Sequence, residues 1–263
     1  MKRPIITLLT DFGTLDHYVG AMKGVILGIC PQAQLVDVSH DVEPYAITEA
    51  AFTLDQTRRC FPPKTVHLVV VDPGVGSTRR PILALAGGHY YVAPDNGVLS
   101  MVLESDPKHR IREITSERWF RKPISQTFHG RDIFAPVAAH MACGVAAAKF
   151  GKRIEDCVQL NLSRPAQTAK ATWTGVVLKI DRFGNIVTNL DRSFGPLLER
   201  KPFKIQIGSG IVTRLFSSYA VAPEGIPFAI WGSSGFLEIS LKQRSAAEAL
   251  ETKSASAVLL LFG

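Results

Sequence analysis

Residues 66–76 read Val-His-Leu-Val-Val-Val-Asp-Pro-Gly-Val-Gly. An apolar run rich in valine is typical of a buried strand, and the Pro-Gly pair that follows Asp72 is typical of a tight turn. Ligands of open α/β sheets bind beyond the carboxyl ends of the strands. The stretch therefore predicts a central strand at Val66–Val71 with a functional carboxylate at its end. The alternative interpretation is an aspartate that only caps its own turn.

Short apolar runs and helix-length segments alternate on both sides of this strand. Further strands are predicted at Ile5–Thr10, Gln34–Val38, Ile82–Ala86 and His89–Ala93. Helices are predicted at Tyr18–Cys30, Ile47–Arg59 and Ile133–Gly144. This alternation predicts an N-terminal α/β domain, residues 1–160, with a mostly parallel sheet between helices. The pair Gly87-Gly88 predicts a hairpin, which makes the sheet mixed.

Residues 151–172 are polar and lack hydrophobic periodicity, which predicts a domain boundary in this stretch. Seven short strand candidates follow, at Gly175–Asp181, Ile186–Leu190, Phe203–Ile207, Ile211–Arg214, Phe228–Trp231, Phe236–Leu241 and Ala257–Phe262. Glycine, proline and serine separate them, which is typical of a small antiparallel barrel or sandwich. We therefore place a second, smaller domain at residues 170–263.

Composition excludes several classes of protein. The 263 residues are 46% hydrophobic and 20% charged, as in soluble globular proteins. The longest uncharged stretch, residues 133–148, is shorter than the roughly 20 apolar residues of a membrane helix, so we expect no membrane segment. Four widely spaced cysteines predict reduced thiols and a cytoplasmic location. Lys and Arg outnumber acidic residues by 30 to 23, but without a dense basic run, so nucleic acid is not an expected partner.

Two further segments of the first domain carry candidate functional residues. Asp11, in Thr10-Asp11-Phe12-Gly13, follows the first predicted strand and could bind a ribose diol or a metal, or cap a turn. His129 lies on a loop between Phe128 and Gly130-Arg131-Asp132, which favours function. His67 and His140, in contrast, lie in apolar runs and are expected in the core.

A metal site is one interpretation of the acidic and histidine residues. Its candidate ligands are Asp11, Asp72, Asp95, His129 and Asp132. Closely paired ligands, such as His-x-x-x-His, are absent from the sequence, so we expect no metal.

The second domain contains two segments suited to an aromatic ligand and a carboxylate. Phe183 offers a ring for stacking and Asn185 an amide that can pair with a purine edge. Ser233 and Ser234 add two hydroxyl groups that can bind a carboxylate. Each segment is weak evidence alone, because Phe-Gly-Asn also forms a β-turn.

Taken in chain order, five motifs resemble those of the S-adenosyl-L-methionine (SAM) hydroxide adenosyltransferases. This family is also called the SAM hydrolases and is related to the fluorinase and chlorinase enzymes. The motifs are Thr10 to Gly13, Val71 to Gly76 with Arg79, Thr127 to Asp132, Phe183 to Asn185, and Ser233 to Glu238. They span essentially the whole chain.

The resemblance implies an α/β domain followed by a β-barrel, and a homotrimer with active sites between subunits. It implies cleavage of SAM by water to adenosine and methionine, with no cofactor. By resemblance, Asp72, Arg79 and His129 form the triad that acts on the water, and Asp11 binds the ribose hydroxyl groups.

The same resemblance assigns substrate contacts in the second domain. Phe183 and Asn185 match adenine-side positions, and Asp181, Ser233 and Ser234 match positions that hold the methionine end. Glu238, the acid of the last motif, is a further substrate-binding candidate. The chain departs from the family pattern at Gly232, where we expect asparagine, and at the basic stretch Lys242-Gln243-Arg244.

Three functions remain open at this point. The first is SAM hydrolysis, and the second is a metal-dependent phosphoesterase or amidohydrolase. The third is a protein that binds an adenosyl ligand without catalysis. Within the first, a carboxylate at Asp72 assists proton removal from water and repels a halide, so we expect oxygen at the adenosine 5′ position.

Overall fold

The computed structural model describes residues 3–160 and 164–263. The chain divides into two compact units, residues 1–160 and 161–263. Within the second unit, strand Ala166–Ala169 precedes residue 170, the predicted start of the second domain. All four residues of this strand are exposed, so it carries no hydrophobic pattern that the sequence could reveal.

A seven-stranded mixed sheet forms the centre of the first unit. Its strands are β1 (Ile5–Thr10), β2 (Gln34–Ser39), β3 (Val66–Val70), β4 (Pro81–Ala86), β5 (His89–Pro94), β6 (Arg110–Glu113) and β7 (Arg153–Ile154). Their order is β2-β1-β3-β5-β4-β6-β7. Strands β2, β1, β3 and β5 run parallel, whereas β4 is antiparallel to both of its neighbours. The predicted mixed sheet and the Gly87-Gly88 hairpin are therefore confirmed.

Helices cover both faces of this sheet. They are α1 (Tyr18–Ile29), α2 (Ile47–Arg58), α3 (Ser100–Glu104) and α4 (Ala135–Ala142). One core is shared by α1 and α4, and a second core on the opposite face by α2 and α3. The segment predicted as one helix from Ile133 starts earlier, as a π-helical turn over Gly130–Phe134, and continues as α4.

A nine-stranded, curled sheet forms the second unit. Its strands are β8 (Ala166–Ala169), β9 (Thr172–Ile180), β10 (Ile186–Asp191), β11 (Phe203–Ile207), β12 (Gly210–Val212), β13 (Leu215–Phe216), β14 (Phe228–Trp231), β15 (Phe236–Ser240) and β16 (Ala257–Phe262). Two short helices, α5 (Gly195–Arg200) and α6 (Ala246–Ala249), accompany them. The main order is β12-β11-β16-β9-β10-β15-β14-β13, with β8 paired to β9.

This sheet differs in two ways from the predicted antiparallel barrel. Strands β13 and β14 run parallel, because the connection of residues 217–227 returns the chain in the same direction. Within the described residues, no pairing joins the two ends, β12 and β13, so the sheet is a half-barrel. The predicted strand Ile211–Arg214 overlaps only β12, which ends at Val212, and β13 begins after it at Leu215. Across the described parts of the chain, no helix is both long and apolar enough to cross a bilayer.

Candidate active site

The two candidate carboxylates of the first unit follow neighbouring parallel strands. Asp11 comes directly after β1 and Asp72 shortly after β3, and Thr10 is paired with Val70 at the end of these strands. From β1 the chain passes to β2 on one side and then to β3 on the other. This is a topological switch point, where α/β proteins bind ligands at the carboxyl edge of the sheet.

Arg79 joins Asp72 and His129 into one cluster. Its Nε donates to Asp72 Oδ1 at 3.0 Å, and its Nη2 donates to Asp72 Oδ2. Nη2 also lies 3.1 Å from His129 Nδ1, so Nδ1 must be the unprotonated acceptor and the ring proton is on Nε2. The side chains of Asp72 and Arg79 are only 4% and 7% exposed. The cluster is therefore a nearly dry ion pair with a neutral imidazole beside it.

The loop between Asp72 and Arg79 is stabilised by its own turns. The backbone N–H of Val75 donates to the Asp72 carbonyl, and the hydroxyl of Ser77 donates to the Gly74 carbonyl at 2.7 Å. Gly76 has a φ of +78°, and a Cβ there would lie 2.5 Å from the Gln126 carbonyl oxygen. Only glycine fits both conditions.

Burial shifts the pKa values of the cluster in opposite directions. Burial raises the pKa of Asp72, although the Arg79 guanidinium opposes the rise. Burial lowers the pKa of His129, and the charge of Arg79 lowers it further. The site therefore favours a relatively basic carboxylate and an uncharged histidine.

One nitrogen of Arg79 is left for another molecule. Within the described part of the chain, Nη1 is buried and has no hydrogen-bond partner. An unpaired buried donor costs free energy unless water or a ligand accepts its proton. Nη1 is thus a donor suited to a bound water or substrate atom beside Asp72.

The remaining acidic candidates of the first unit do not join this cluster. Asp132 is fully buried and accepts hydrogen bonds from Arg131 Nε at 2.7 Å and from the Ser125 N–H at 2.9 Å. Asp95 accepts from Arg80 Nη2 at 2.6 Å. Among residues 3–160 and 164–263, no three His, Cys, Asp or Glu side chains are grouped to hold a metal ion.

In the second unit, a cavity of about 890 Å³ collects most of the candidate binding residues. Five of them line it, namely Asp181, Phe183, Asn185, Ser233 and Glu238. Ser234 is not among the lining residues. Its Oγ is buried and, within the described residues, has no hydrogen-bond partner.

Asp181 organises the turn that presents Phe183 and Asn185. Its Oδ1 accepts the backbone N–H groups of Phe183 and Asn185, each at 2.9 Å. Its Oδ2 accepts Asn185 Nδ2 at 2.8 Å. Phe183 is consequently held on a tight turn with 78% of its surface exposed, ready to stack on a flat ligand.

Glu238 occupies the space above Gly232. A Cβ at position 232 would lie 1.7 Å from Glu238 Oε1, so the glycine and the position of this carboxylate depend on each other. The Tyr219 hydroxyl donates to Glu238 Oε2 at 3.2 Å. Burial raises the pKa of Glu238. The departure from the family pattern at Gly232 therefore has a local structural reason.

Sequence reasoning missed residues that contact the candidate site residues or their neighbours. Tyr45, whose backbone N–H donates to Asp11 Oδ2 at 2.9 Å, is one of them. Tyr219 lines the cavity of the second unit but lies in a segment without periodicity, so no pattern pointed to it. His40 contacts Thr10, the neighbour of Asp11. Its position directly after β2, at the same sheet edge as Asp11, was the available signal.

Comparisons with known proteins agree over nearly the whole chain. Residues 6–151 match the SAM hydroxide adenosyltransferase N-terminal domain, and residues 175–259 match the corresponding C-terminal domain. A protein from Thermus thermophilus named (R)-S-adenosyl-L-methionine hydrolase is 37% identical over 98% of this chain and 100% of its own. One of the same name from Methanocaldococcus jannaschii is 35% identical over 98% and 96%.

A more distant relative and a solved structure are also similar to this chain. A fluorinase from Nocardia brasiliensis is 30% identical over 73% of each chain. The crystal structure of a conserved protein from Thermotoga maritima has a TM-score of 0.88 at 36% identity, over 97% of this chain and 99% of that one. The two family models together cover most of the chain and define its class. The chain belongs to the SAM hydroxide adenosyltransferase family.

Proposed function

We propose that this protein hydrolyses SAM to adenosine and L-methionine through attack of water on the ribose C5′. The observation that carries the proposal is the buried cluster of Asp72, Arg79 and His129, with Arg79 Nη1 left unpaired within the described residues. Near full-length similarity to proteins named SAM hydrolases supports the same reaction.

The chemistry requires help for the nucleophile and not for the leaving group. Methionine leaves a sulfonium as a neutral thioether, so no general acid is needed. Asp72, made more basic by burial, takes the proton from water, and Arg79 Nη1 and His129 orient the oxygen. Attack by a hydroxide-like oxygen on a sulfonium cancels charge, which a site with little water makes more favourable.

The remaining assignments are part of the proposal. Asp11 binds the ribose hydroxyl groups, while Phe183 and Asn185 hold adenine. The residues proposed for the methionine end are Asp181, Ser233 and Ser234, and Glu238 is a further proposed substrate contact. The relationship to the family supports a cytoplasmic homotrimer with active sites at subunit interfaces and no cofactor, with SAM as the only ligand required.

Turnover in water enriched in ¹⁸O tests the reaction. We expect the label in the 5′-hydroxyl of adenosine and none in methionine, with little 5′-chloro-5′-deoxyadenosine even in concentrated chloride. Activity should also survive a chelator. Label in methionine or a dominant halogenated product would overturn the proposal. Chelator-sensitive cleavage of a phosphate ester would favour a metal-dependent phosphoesterase, and tight SAM binding without turnover a binding protein.

The fluorinase relative makes halide use the second candidate. A halide must lose its hydration shell, which is costly, and the Asp72 carboxylate would repel it. The presence of this buried carboxylate beside Arg79 favours water over a halide ion as the nucleophile.

A further inference from the structure

A second histidine cluster lies behind the proposed ribose site. Thr10 Oγ1 is 2.9 Å from His40 Nδ1, and His40 Nε2 is 3.0 Å from Asp37 Oδ1. Thr10 is fully buried and His40 is 5% exposed, whereas Asp37 is partly exposed and also accepts from Lys23 Nζ at 2.6 Å. A chain of polar contacts thus runs from the surface to the last residue of β1.

His40 also holds the loop that carries Asp11 through its backbone. The N–H of Gly13 donates to the His40 carbonyl at 2.7 Å. Two residues earlier, Asp11 Oδ2 accepts the N–H of Tyr45 at 2.9 Å. The loops after β1 and β2 are therefore joined at three points, two of them at His40. Because the Tyr45 N–H holds Oδ2 of Asp11, the position of residues 40–45 determines where the other carboxylate oxygen, Oδ1, points.

We propose that His40 and Thr10 are positioning residues for Asp11, and that they set the affinity of the site for the ribose diol. The inference rests on the proposed function, since it takes Asp11 as the ribose ligand. Neither residue contacts the reacting atoms in this scheme. Their effect is on binding, because a carboxylate that is free to rotate loses its directed hydrogen bonds to two hydroxyl groups.

The chain contains a matched control on the same strand. Thr7 Oγ1 lies 2.7 Å from His67 Nδ1, so β1 carries two buried threonines that each contact a histidine of a neighbouring segment. Thr7 is in the middle of β1, away from the carboxyl edge of the sheet. Thr10→Val and Thr7→Val each remove a hydroxyl group from a contact with a histidine, and valine keeps the shape of threonine. Thr10 Oγ1 also accepts the backbone N–H of Phe12 at 3.3 Å, a contact within the loop that carries Asp11.

The experiment measures SAM kinetics and nucleoside binding for both variants. We expect Thr10→Val to raise KM for SAM about tenfold with kcat changed less than about threefold, whereas Thr7→Val leaves both nearly unchanged. By calorimetry, Thr10→Val should weaken binding of adenosine but not of 2′,3′-dideoxyadenosine. Thr10→Ser, which keeps the hydroxyl, should restore the affinity. In an Asp11→Ala background, Thr10→Val should have no further effect.

Each outcome decides for or against the inference. Equal KM effects from Thr10→Val and Thr7→Val, equal weakening of both nucleosides, or additive effects with Asp11→Ala would show that Thr10 acts only on stability and would overturn it. If the unmodified protein does not turn over SAM, the proposed function fails. The ratio of adenosine to dideoxyadenosine affinity still tests the role of His40 and Thr10 in that case.

Discussion

Arg79 shares one nitrogen between two partners, since Nη2 contacts Asp72 and lies 3.1 Å from His129 Nδ1. The Cζ atom of Arg79 lies 5.1 Å from the centre of the Phe134 ring. The ring covers the guanidinium on that side and shields the ion pair from water. A guanidinium held in this way cannot follow the movements of one partner without disturbing the other. The three side chains are therefore expected to act as a unit.

Asp72→Asn tests the role of the carboxylate at nearly constant shape. We expect kcat for SAM to fall by about 10²- to 10⁴-fold, because an amide cannot take a proton from water. The dissociation constant for SAM should change by less than about threefold. Single-turnover kinetics and calorimetry measure the two quantities. Asp156→Asn is the control, since Asp156 also pairs with an arginine but is exposed. Near-normal kcat in Asp72→Asn would remove the general-base role.

The pH dependence follows from the two opposite shifts at this cluster. The reaction needs ionised Asp72 and neutral His129, and both are lost by protonation as the pH falls. Burial lowers the pKa of His129 below its ordinary 6.5, and burial raises the pKa of Asp72 above its ordinary 3.8. We expect kcat/KM for SAM to be constant from about pH 8 to 6.5 and to fall only below that range. An acid limb centred above pH 6.5 would contradict this assignment.

At the scale of elements, the segment from β3 to Arg79 and the segment from residue 121 to α4 form the site together. Gly76 lies against the Gln126 carbonyl, and Asp132 in the π-helical turn binds the Ser125 N–H. A π-helical turn adds one residue to a helical repeat and often marks a functional site. Here the π-helical turn directly follows His129 and directly precedes α4. The direction of His129 therefore depends on the packing of two loops.

Gly76→Ala tests the contact between these loops. Alanine at a positive φ lowers the stability of the folded protein by about 1 kcal/mol at any position. At Gly76 its Cβ would also clash with the Gln126 carbonyl oxygen. Gly144 has a φ of +90° with open space around it, so Gly144→Ala has only the first cost. We expect Gly76→Ala to lose about 1–3 kcal/mol more stability in urea unfolding and, unlike Gly144→Ala, to lower kcat. Equal losses in the two variants would contradict the tight contact.

On the scale of the whole molecule, each unit has its own core, and the candidate residues are divided between the units. The cluster of Asp72, Arg79 and His129 belongs to residues 1–160, and the proposed adenine and methionine contacts belong to residues 161–263. Each unit can therefore be inactivated separately. This permits a direct test of the proposed trimer and its shared active sites.

Light scattering should give three times the chain mass of 28.7 kDa. Co-expression of Asp72→Asn with Asn185→Ala tests the sharing of active sites at SAM concentrations well below KM, where each variant alone should have little activity. If a site combines the first unit of one subunit with the second unit of its neighbour, random trimers keep about a quarter of their sites intact. We thus expect about a quarter of the normal activity per site. No recovery would indicate sites closed within one chain, and a monomer mass with full activity would exclude the trimer.

The sequence alone determined the features that depend on local pattern. The valine run predicted β3 within one residue, and Gly87-Gly88 predicted the hairpin between β4 and β5. His67 and His140 were both expected in the core, and His67 is fully buried, whereas His140 is only partly buried. The motifs also identified Asp72, Arg79 and His129, which the structure brings together. Hydrophobic periodicity and turn residues depend only on residues close together in the sequence, so they can be interpreted without knowing the fold.

Only the tertiary structure decided what depends on distant partners. Strand β6 reads Arg-Ile-Arg-Glu and exists because β4 pairs with it, and the parallel pairing of β13 depends on the route of residues 217–227. The role of Asp181 in its turn, the contact of Glu238 with Gly232, and the contact of His40 with Thr10 are equally invisible in the sequence. Strand pairing and buried polar contacts join residues far apart in the chain, so their energies appear only when the chain is folded.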